Sequence, residues 1–402
     1  MADPKTLVEP WKLSAPRLAR FRTALLEWFA RSKRDLPWRR TKDAYRVWIS
    51  EIMLQQTRVA AVIPYYERFL DRFPDVRALA RARPESVLQH WAGLGYYSRA
   101  RNLQGAARQI VAQHKGEFPR GAQATLDLAG IGGYTAAAVL SIAYDEPLAA
   151  LDGNVARVLA RLGAIPGDLR EAGRWQELSQ AAGRLLARER PGDWNQAMME
   201  LGATICTPGT PRCLICPVAS YCRARALGIA AEIPEKRRKR ATVKVNLAVA
   251  VFRDASGQTL VVRPSKESAQ AGASFRTDRH GQDLFSRMWQ FPAVAMPGTK
   301  DSGLKDRTQG ALHVLRDHLR REWRVAAKSL FTNTQELPPI RHTVTFREVT
   351  LLPFLMRVAR LPHLPGSRTV LLGAIQRSPV SSATKKIAAA ALQFLAPNSD
   401  QA

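Results

Sequence analysis

Apolar residues recur at helical spacing through the first half of the chain. One such run covers residues 47–54 and another covers residues 155–162. Residues 126–143 hold two helical runs that are joined by the glycine-rich turn Gly130–Gly133, and the second run starts near Thr135. This pattern predicts a helix-hairpin-helix.

After residue 231 the apolar positions change from helical spacing to alternation. The predicted strands are LAVAVF, TLVVR, the WQFPAV segment and VTLLPFLMRV, with a helix over Gly310 to Val325. We therefore expect an α+β domain over residues 245–396. The linker at 231–244 contains the basic block Lys236–Arg240. We read this block as solvated chain, although it would also suit a nuclear signal or a DNA contact.

The charge of the chain is strongly unbalanced. The 402 residues contain 61 Lys and Arg against 34 Asp and Glu, which gives a formal net charge of +27. A genome that favours arginine would account for part of this excess. Because Lys and Arg neutralise phosphates, the charge nevertheless ranks nucleic acid first among partners.

All four cysteines lie within residues 206–222, at the spacing C-x6-C-x2-C-x5-C. Only Cys213 and Cys216 are as close in sequence as the paired cysteines of structural zinc sites, whereas an iron–sulfur cluster tolerates ligands that lie further apart in sequence. Four prolines and glycines keep the segment from being a helix, so a metal centre would organise its backbone. The spacing favours iron–sulfur over zinc, and unligated thiols stay a third possibility. The ligands of either centre would be Cys206, Cys213, Cys216 and Cys222.

Two carboxylates are candidates for chemistry. Glu51 lies in an otherwise apolar helical run, where burial would raise its pKa and make it a proton donor. Asp152 precedes a helix, so it is also a good N-cap candidate. One protonated and one ionised carboxyl group are what cleavage of a glycosidic bond requires.

Several motifs occur together in one order: WISEIMLQQT, GLGYYSRARNL, LAGIGGYTAAAVL, LDGNVARV, WNQAMMELGATIC and the four cysteines. Over residues 20–225 the chain resembles the MutY family of adenine DNA glycosylases, within the helix-hairpin-helix superfamily that includes endonuclease III. The resemblance implies an all-α glycosylase domain over residues 15–230. It also implies a [4Fe–4S] cluster on the four cysteines of the loop 206–222, and cleavage of the N-glycosidic bond of an adenine flipped out of the duplex.

The resemblance also implies roles for residues of the site. Glu51 would protonate the leaving adenine, and Asp152 would stabilise or trap the oxocarbenium charge of the sugar, supported by Asn154 and Tyr134. Endonuclease III carries a lysine where Tyr134 stands, so this chain would be monofunctional. Gln56 and Tyr96 would be inserted into the duplex beside the mismatch, and Trp38, Arg39 and Gln196 would line the adenine pocket. The hairpin glycines Gly130 and Gly132 would let the backbone approach a phosphate of the DNA.

The second domain resembles the Nudix-like C-terminal domain of the same family more loosely. Its helix offers Glu322 alone where a Nudix hydrolase clusters glutamates for magnesium, so we expect recognition of the base opposite adenine rather than nucleotide hydrolysis. The family's Phe-Ser-His loop is replaced by Val344, Thr345 and Phe346. Thr345 still offers a hydroxyl group to the lesion. The preference for 8-oxoguanine over guanine would then be weaker, or His342 or Phe346 would read 8-oxoguanine instead.

The expected partner is double-stranded DNA that contains adenine opposite 8-oxoguanine or guanine. Two alternatives remain at this point: a glycosylase of the same superfamily with another mismatch specificity, and an inactive DNA-scanning protein. The N-terminal residues read as neither a secretory signal nor a membrane span. We therefore expect a cytoplasmic, nucleoid-associated monomer.

Overall fold

The computed structural model divides the chain into two compact units. One comprises residues 1–82 and 99–238, and the other comprises residues 83–98 and 239–402. The structure describes residues 10–235, 241–263, 288–296, 304–321, 325, 334–344, 346–364, 366–378 and 380–396. The basic block Lys236–Arg240, Glu322 and Thr345 lie outside these residues.

Among its described residues, the regular secondary structure of the first unit is all helical. Its helices are α1 (Ala15–Ser32), α2 (Ala44–Leu54), α3 (Val59–Arg72), α4 (Val76–Arg81), α6 (Ser98–Gln113), α7 (Ala122–Leu126), α8 (Gly133–Tyr144), α9 (Gly153–Gly163), α10 (Ala172–Leu185), α11 (Pro191–Thr204) and α12 (Arg223–Ala226). Helix α5 (Pro84–Trp91) falls in the second unit.

Helix α9 lies at the centre of one core of the helical unit. Its apolar residues Val155, Val158, Leu159 and Leu162 are buried in a cluster to which α1, α10 and α11 also contribute. The helical spacing predicted for residues 155–162 is therefore present. Because Asp152 immediately precedes this buried helix, its position is fixed by the packing of α9.

The predicted helix-hairpin-helix is formed by α7, the turn after it, and α8. Gly130 adopts a φ of 77°, and a Cβ atom there would meet the side chain of Asn102 at 2.6 Å, so glycine is needed at this position. Gly132 is the N-cap residue of α8. The second helix begins at Gly133, slightly before the predicted start near Thr135.

The second unit is built on a mixed sheet. The strands are β1 (Val243–Arg253), β2 (Gln258–Val262), β3 (Ala293–Ala295), β4 (Thr334–Glu336), β5 (Ile340–Val344), β6 (Arg347–Arg357) and β7 (Ser367–Leu371). Four of them follow the order β3-β1-β6-β4, β5 also pairs with β6, and β2 pairs with β7. Strands β1 and β6 are parallel over their full length, from Val243↔Arg347 to Arg253↔Arg357.

Both faces of this sheet are covered. Helix α13 (Leu304–Arg321) and helix α14 (Ser382–Leu395) belong to two separate apolar clusters. Successive residues of β1 contribute alternately to one cluster and to the other. Val249 faces the α14 cluster and Ala250 faces the α13 cluster. The predicted α+β character of this region is therefore present, with the helix that was expected over Gly310 to Val325 occupying Leu304–Arg321. In the described part of the chain, no helix is long and apolar enough to cross a bilayer.

Candidate active site

A cavity of about 650 Å³ opens in the helical unit. Its walls come from α2 and the turn after it, the start of α8, the start of α9, α11, and the short 3-10 helix Pro37–Arg39. The size is within the range of cavities that bind small ligands. The sequence-predicted residues that line it are Trp38, Arg39, Glu51, Gln56, Tyr134, Asp152, Asn154 and Gln196.

Glu51 lies on α2 with its side chain turned into this cavity and only 6% of its surface exposed. Burial above all, with a smaller contribution from the charge of Asp152, raises the pKa of Glu51 to about 7, although a hydrogen bond from Tyr134 and the charge of Arg39 oppose the rise. A carboxyl group with this pKa exists partly in its acid form at neutral pH, so it can donate a proton.

The hydroxyl of Tyr134 donates to Glu51 Oε2 at 2.7 Å and lies 3.4 Å from Met199 Sδ. The sequence had placed Tyr134 in support of Asp152, and this hydrogen bond goes to the other carboxyl group instead. The cause is the packing of α8 against α2, which brings the first turn of α8 to Glu51. Burial raises the pKa of Tyr134 well above its usual value, so its hydroxyl stays protonated and serves as a donor.

Asp152 is the N-cap residue of α9 and also faces the cavity. Its Oδ1 accepts from the backbone amides of Asn154 at 2.9 Å and Val155 at 2.7 Å, and its Oδ2 accepts from Asn154 Nδ2 at 3.0 Å. The predicted support from Asn154 is therefore present. Capping and a chemical role do not compete here, because the helix amides that the carboxylate caps also stabilise a negative charge.

Two arginines on one face of α9 extend from the site to the cysteine loop. Arg157 donates to Asn154 Oδ1 at 3.0 Å and to the carbonyl of Cys206 at 2.9 Å. Arg161 donates to Cys206 Sγ at 3.3 Å and to the carbonyl of Thr207 at 2.8 Å. The helix that begins at Asp152 thus also holds the start of the loop in place.

The four predicted metal ligands lie together. They are unpaired, half-buried thiols that line a single apolar cavity of about 20 Å³: Cys206, Cys213, Cys216 and Cys222. In the part of the chain that the structure describes, no three His, Cys, Asp or Glu side chains converge closely enough to hold one metal ion.

The sequence did not point to the buried carboxylate Glu200. This side chain has no exposed surface and accepts hydrogen bonds from Arg34 at 2.7 Å and from Arg39 at 2.8 Å. Burial alone would raise the pKa of Glu200, but the hydrogen bonds from the two arginines outweigh it and lower the pKa to about 2. The ion pairs with Glu200 hold Arg34 and Arg39 in the wall of the cavity.

The residues predicted to enter the duplex have exposed side chains on unusual backbone. Gln56 follows α2 with a φ of 57°. Tyr96, in the second unit, has a φ of 47° and is 43% exposed, whereas Tyr97 is only 8% exposed. His342 lies half-buried on β5, where burial lowers its pKa, and its neighbour in the predicted loop, Thr345, lies outside the described residues.

Comparison with known proteins relates the helices around the cavity to a known family. Residues 49–180 match the family model described as "HhH-GPD superfamily base excision DNA repair protein", a range that contains Glu51, Tyr134 and Asp152. The adenine DNA glycosylase of Homo sapiens is 50% identical over 214 residues, which are 51% of this chain and 39% of that protein. The adenine DNA glycosylase of Arabidopsis thaliana is 37% identical over 315 residues, 71% of this chain and 49% of that protein.

One solved structure, of a thermostable thymine-DNA glycosylase, covers 52% of this chain and 97% of that chain at 29% identity, with a TM-score of 0.48. The present chain spans less than half the length of the human protein and about half that of the Arabidopsis protein. The matched range and the identities nevertheless agree on one assignment. Residues 49–180 belong to the HhH-GPD superfamily of base excision DNA repair proteins.

Proposed function

We propose that this protein is a monofunctional adenine DNA glycosylase, which flips adenine out of a mispaired duplex and hydrolyses its N-glycosidic bond. The observation that carries the proposal is the pair of carboxyl groups in one cavity, Glu51 with its pKa raised to about 7 and Asp152 held by helix amides. The identities to adenine DNA glycosylases support adenine as the base. Flipping is required because the bond is inaccessible inside the stack.

The two carboxyl groups divide the chemistry. Glu51 gives its proton to the adenine ring and so makes the base a better leaving group, while Tyr134 holds the Glu51 carboxyl in place through its hydroxyl. Asp152 offers a negative charge to the sugar as positive charge develops there. No lysine is found among the described residues that line the cavity, which supports hydrolysis without attack by a protein amine.

We also propose that the four cysteines hold a [4Fe–4S] cluster. Four thiols that line one small cavity, with only one close pair among them in sequence, fit a centre of several irons better than a zinc ion, whose cysteines usually come in two close pairs. When bound, the cluster would fix the loop and its basic residues. Iron in the purified protein supports this assignment, and stoichiometric zinc without iron overturns it.

The second unit, in this proposal, is the Nudix-like domain that reads the base opposite adenine. Its mixed sheet between two helices supports the resemblance in general form. The hairpin β5–β6 carries His342 and the loop at Val344 and Phe346 that would meet 8-oxoguanine. The formal net charge of +27 supports a DNA duplex as the partner.

The test uses excess enzyme with duplexes that carry adenine opposite 8-oxoguanine, guanine, cytosine or thymine, followed by alkaline cleavage of abasic sites. We expect fast base loss opposite 8-oxoguanine, slower loss opposite guanine, and none opposite cytosine or thymine. Equal rates opposite 8-oxoguanine and guanine would refute only the proposal that the second unit recognises 8-oxoguanine. Absence of adenine loss from every duplex would refute the glycosylase assignment.

The pKa of Glu51 predicts the pH dependence of the same reaction. Because the acid form is needed, the single-turnover rate should be constant at low pH and fall about tenfold per pH unit well above pH 7. Tyr134→Phe removes a hydrogen bond that favours the charged carboxylate, so the fall should move to higher pH. Tyr144→Phe removes a comparable hydrogen bond, to the carbonyl of Phe118, from the other end of α8 and should leave the profile unchanged. A wild-type rate that is flat from pH 6 to pH 9 would contradict the role of Glu51.

A further inference from the structure

We propose that Arg99 is a positioning residue that fixes the turn after α2, and thereby sets the direction in which Gln56 enters the duplex. The inference rests on the proposed glycosylase function and assigns a task to a residue that lies outside the cavity wall. Arg99 is on α6, is 9% exposed, and directs its guanidinium at the end of the helix that carries Glu51.

The end of α2 presents carbonyl groups that have no partner within the helix. Arg99 Nη1 donates to the carbonyls of Ile52 at 2.9 Å and Met53 at 2.9 Å, and also to the carbonyl of Gln55. A cation at a helix C-terminus is further favoured by the helix dipole. The guanidinium therefore acts as a C-terminal cap for the catalytic helix.

The same guanidinium continues past the helix. Its Nη2 donates to Thr57 Oγ1 at 3.2 Å, and Thr57 Oγ1 in turn donates to the carbonyl of Gln55 at 3.3 Å. Arg99 thus contacts Gln55 before Gln56 and Thr57 after it, and these hydrogen bonds form a clamp on the turn. The side chain of Gln56 itself is exposed and lies at the mouth of the cavity.

Gln56 has a φ of 57°, a left-handed conformation that is unfavourable for residues other than glycine. Such a conformation persists only where the surrounding structure enforces it. The contacts of Arg99 with Gln55 and Thr57, on both sides of Gln56, hold the turn in this conformation. A side chain that must enter a base stack benefits from a fixed starting direction, because less ordering is then needed on binding.

Lysine cannot replace this arrangement. An ammonium group keeps the charge near the end of α2, but it lacks the planar fork that reaches from Ile52 and Met53 to Thr57. Arg99→Lys therefore keeps a positive charge near the end of α2 but loses the hydrogen bond to Thr57 that holds the turn. Thr57→Val is a milder second variant, because it removes one acceptor of the clamp and leaves the guanidinium buried.

Gln104 provides the matched control. It is on the same helix, is 5% exposed, and donates to the carbonyls of Ala82 at 2.7 Å and Leu79 at 3.4 Å, near the end of α4. Gln104→Leu therefore removes the same kind of buried contact between α6 and another helix end. Gln104 does not line the cavity, so excision by this variant should stay within about twofold of the wild type.

The experiment measures single-turnover adenine excision and melting temperature for the wild type, Arg99→Lys, Thr57→Val and Gln104→Leu, each with Gln56 and with Gln56→Ala. We expect Arg99→Lys to lower the rate at least tenfold and Thr57→Val to lower it less, at melting temperatures no lower than that of Gln104→Leu. With Gln56→Ala already present, both losses should shrink to less than about threefold, because the clamp then has nothing to position.

Two results would overturn the inference. One is an Arg99→Lys rate equal to that of Gln104→Leu. The other is a loss of the same size with and without Gln56, which would mean that Arg99 serves α2 and not the inserted side chain. Excision by the wild type in the same assay separates these outcomes from failure of the glycosylase assignment, which would leave no rate to compare.

Discussion

Glu51→Gln is expected to abolish adenine excision while duplex binding persists. Glutamine has nearly the same shape and can still accept from the Tyr134 hydroxyl, but it has no proton to give. Loss of a general acid lowers rates by about 10²- to 10⁴-fold. Single-turnover kinetics on adenine opposite 8-oxoguanine measures the loss, and fluorescence anisotropy on the same duplex should give an affinity within about threefold of the wild type.

The stability of the variant provides an independent control. The pKa of the Glu51 carboxyl is raised by burial, so the stability it contributes is fully present at low pH and is lost as the pH rises through about 7. Glutamine carries no charge and avoids this loss. Glu51→Gln should therefore melt at a higher temperature than the wild type at pH 8, and the difference should shrink towards pH 5. An excision rate within tenfold of the wild type would mean that another group donates the proton.

Local sequence was sufficient for features that depend on neighbours in the chain. The run around Glu51 marks a buried carboxyl because the apolar side chains on both sides belong to the same helix. Asp152 could be proposed as an N-cap because its partners, the amides of Asn154 and Val155, follow it directly. Gly130 could be placed in a tight turn because glycine tolerates a positive φ.

Contacts between segments that lie far apart in the chain could not be predicted from local sequence. Glu200 is paired with Arg34 and Arg39 across 166 and 161 residues, and no spacing rule connects them. Tyr134 reaches Glu51 across 83 residues, so its hydrogen-bond partner depends on how α8 packs on α2. In the second unit, the alternation of β1 predicted a strand but not its parallel partner β6, because pairing depends on the connections between strands.

Asp152→Asn is expected to remove most of the activity without unfolding the helix it caps. Asparagine is as good an N-cap as aspartate, and its Oδ1 can still accept from the amides of Asn154 and Val155. What disappears is the negative charge that faces the sugar, together with the hydrogen bond that Oδ2 accepts from Asn154 Nδ2. Loss of one preorganised electrostatic group of this kind costs about 10²- to 10³-fold in rate.

The matched control is Asp75→Asn, which makes the same chemical change at the N-cap of α4. Asp75 accepts from the amide of Ala78 at 2.8 Å and does not line the cavity. Melting temperatures of the two variants should be similar, since both keep their caps, while single-turnover excision should fall only for Asp152→Asn. If both variants excised adenine at the wild-type rate, Asp152 would be a cap and nothing more. The positive charge on the sugar would then have to be met by another group in the cavity, whose lining also includes the carboxyl groups of Glu51 and Glu200.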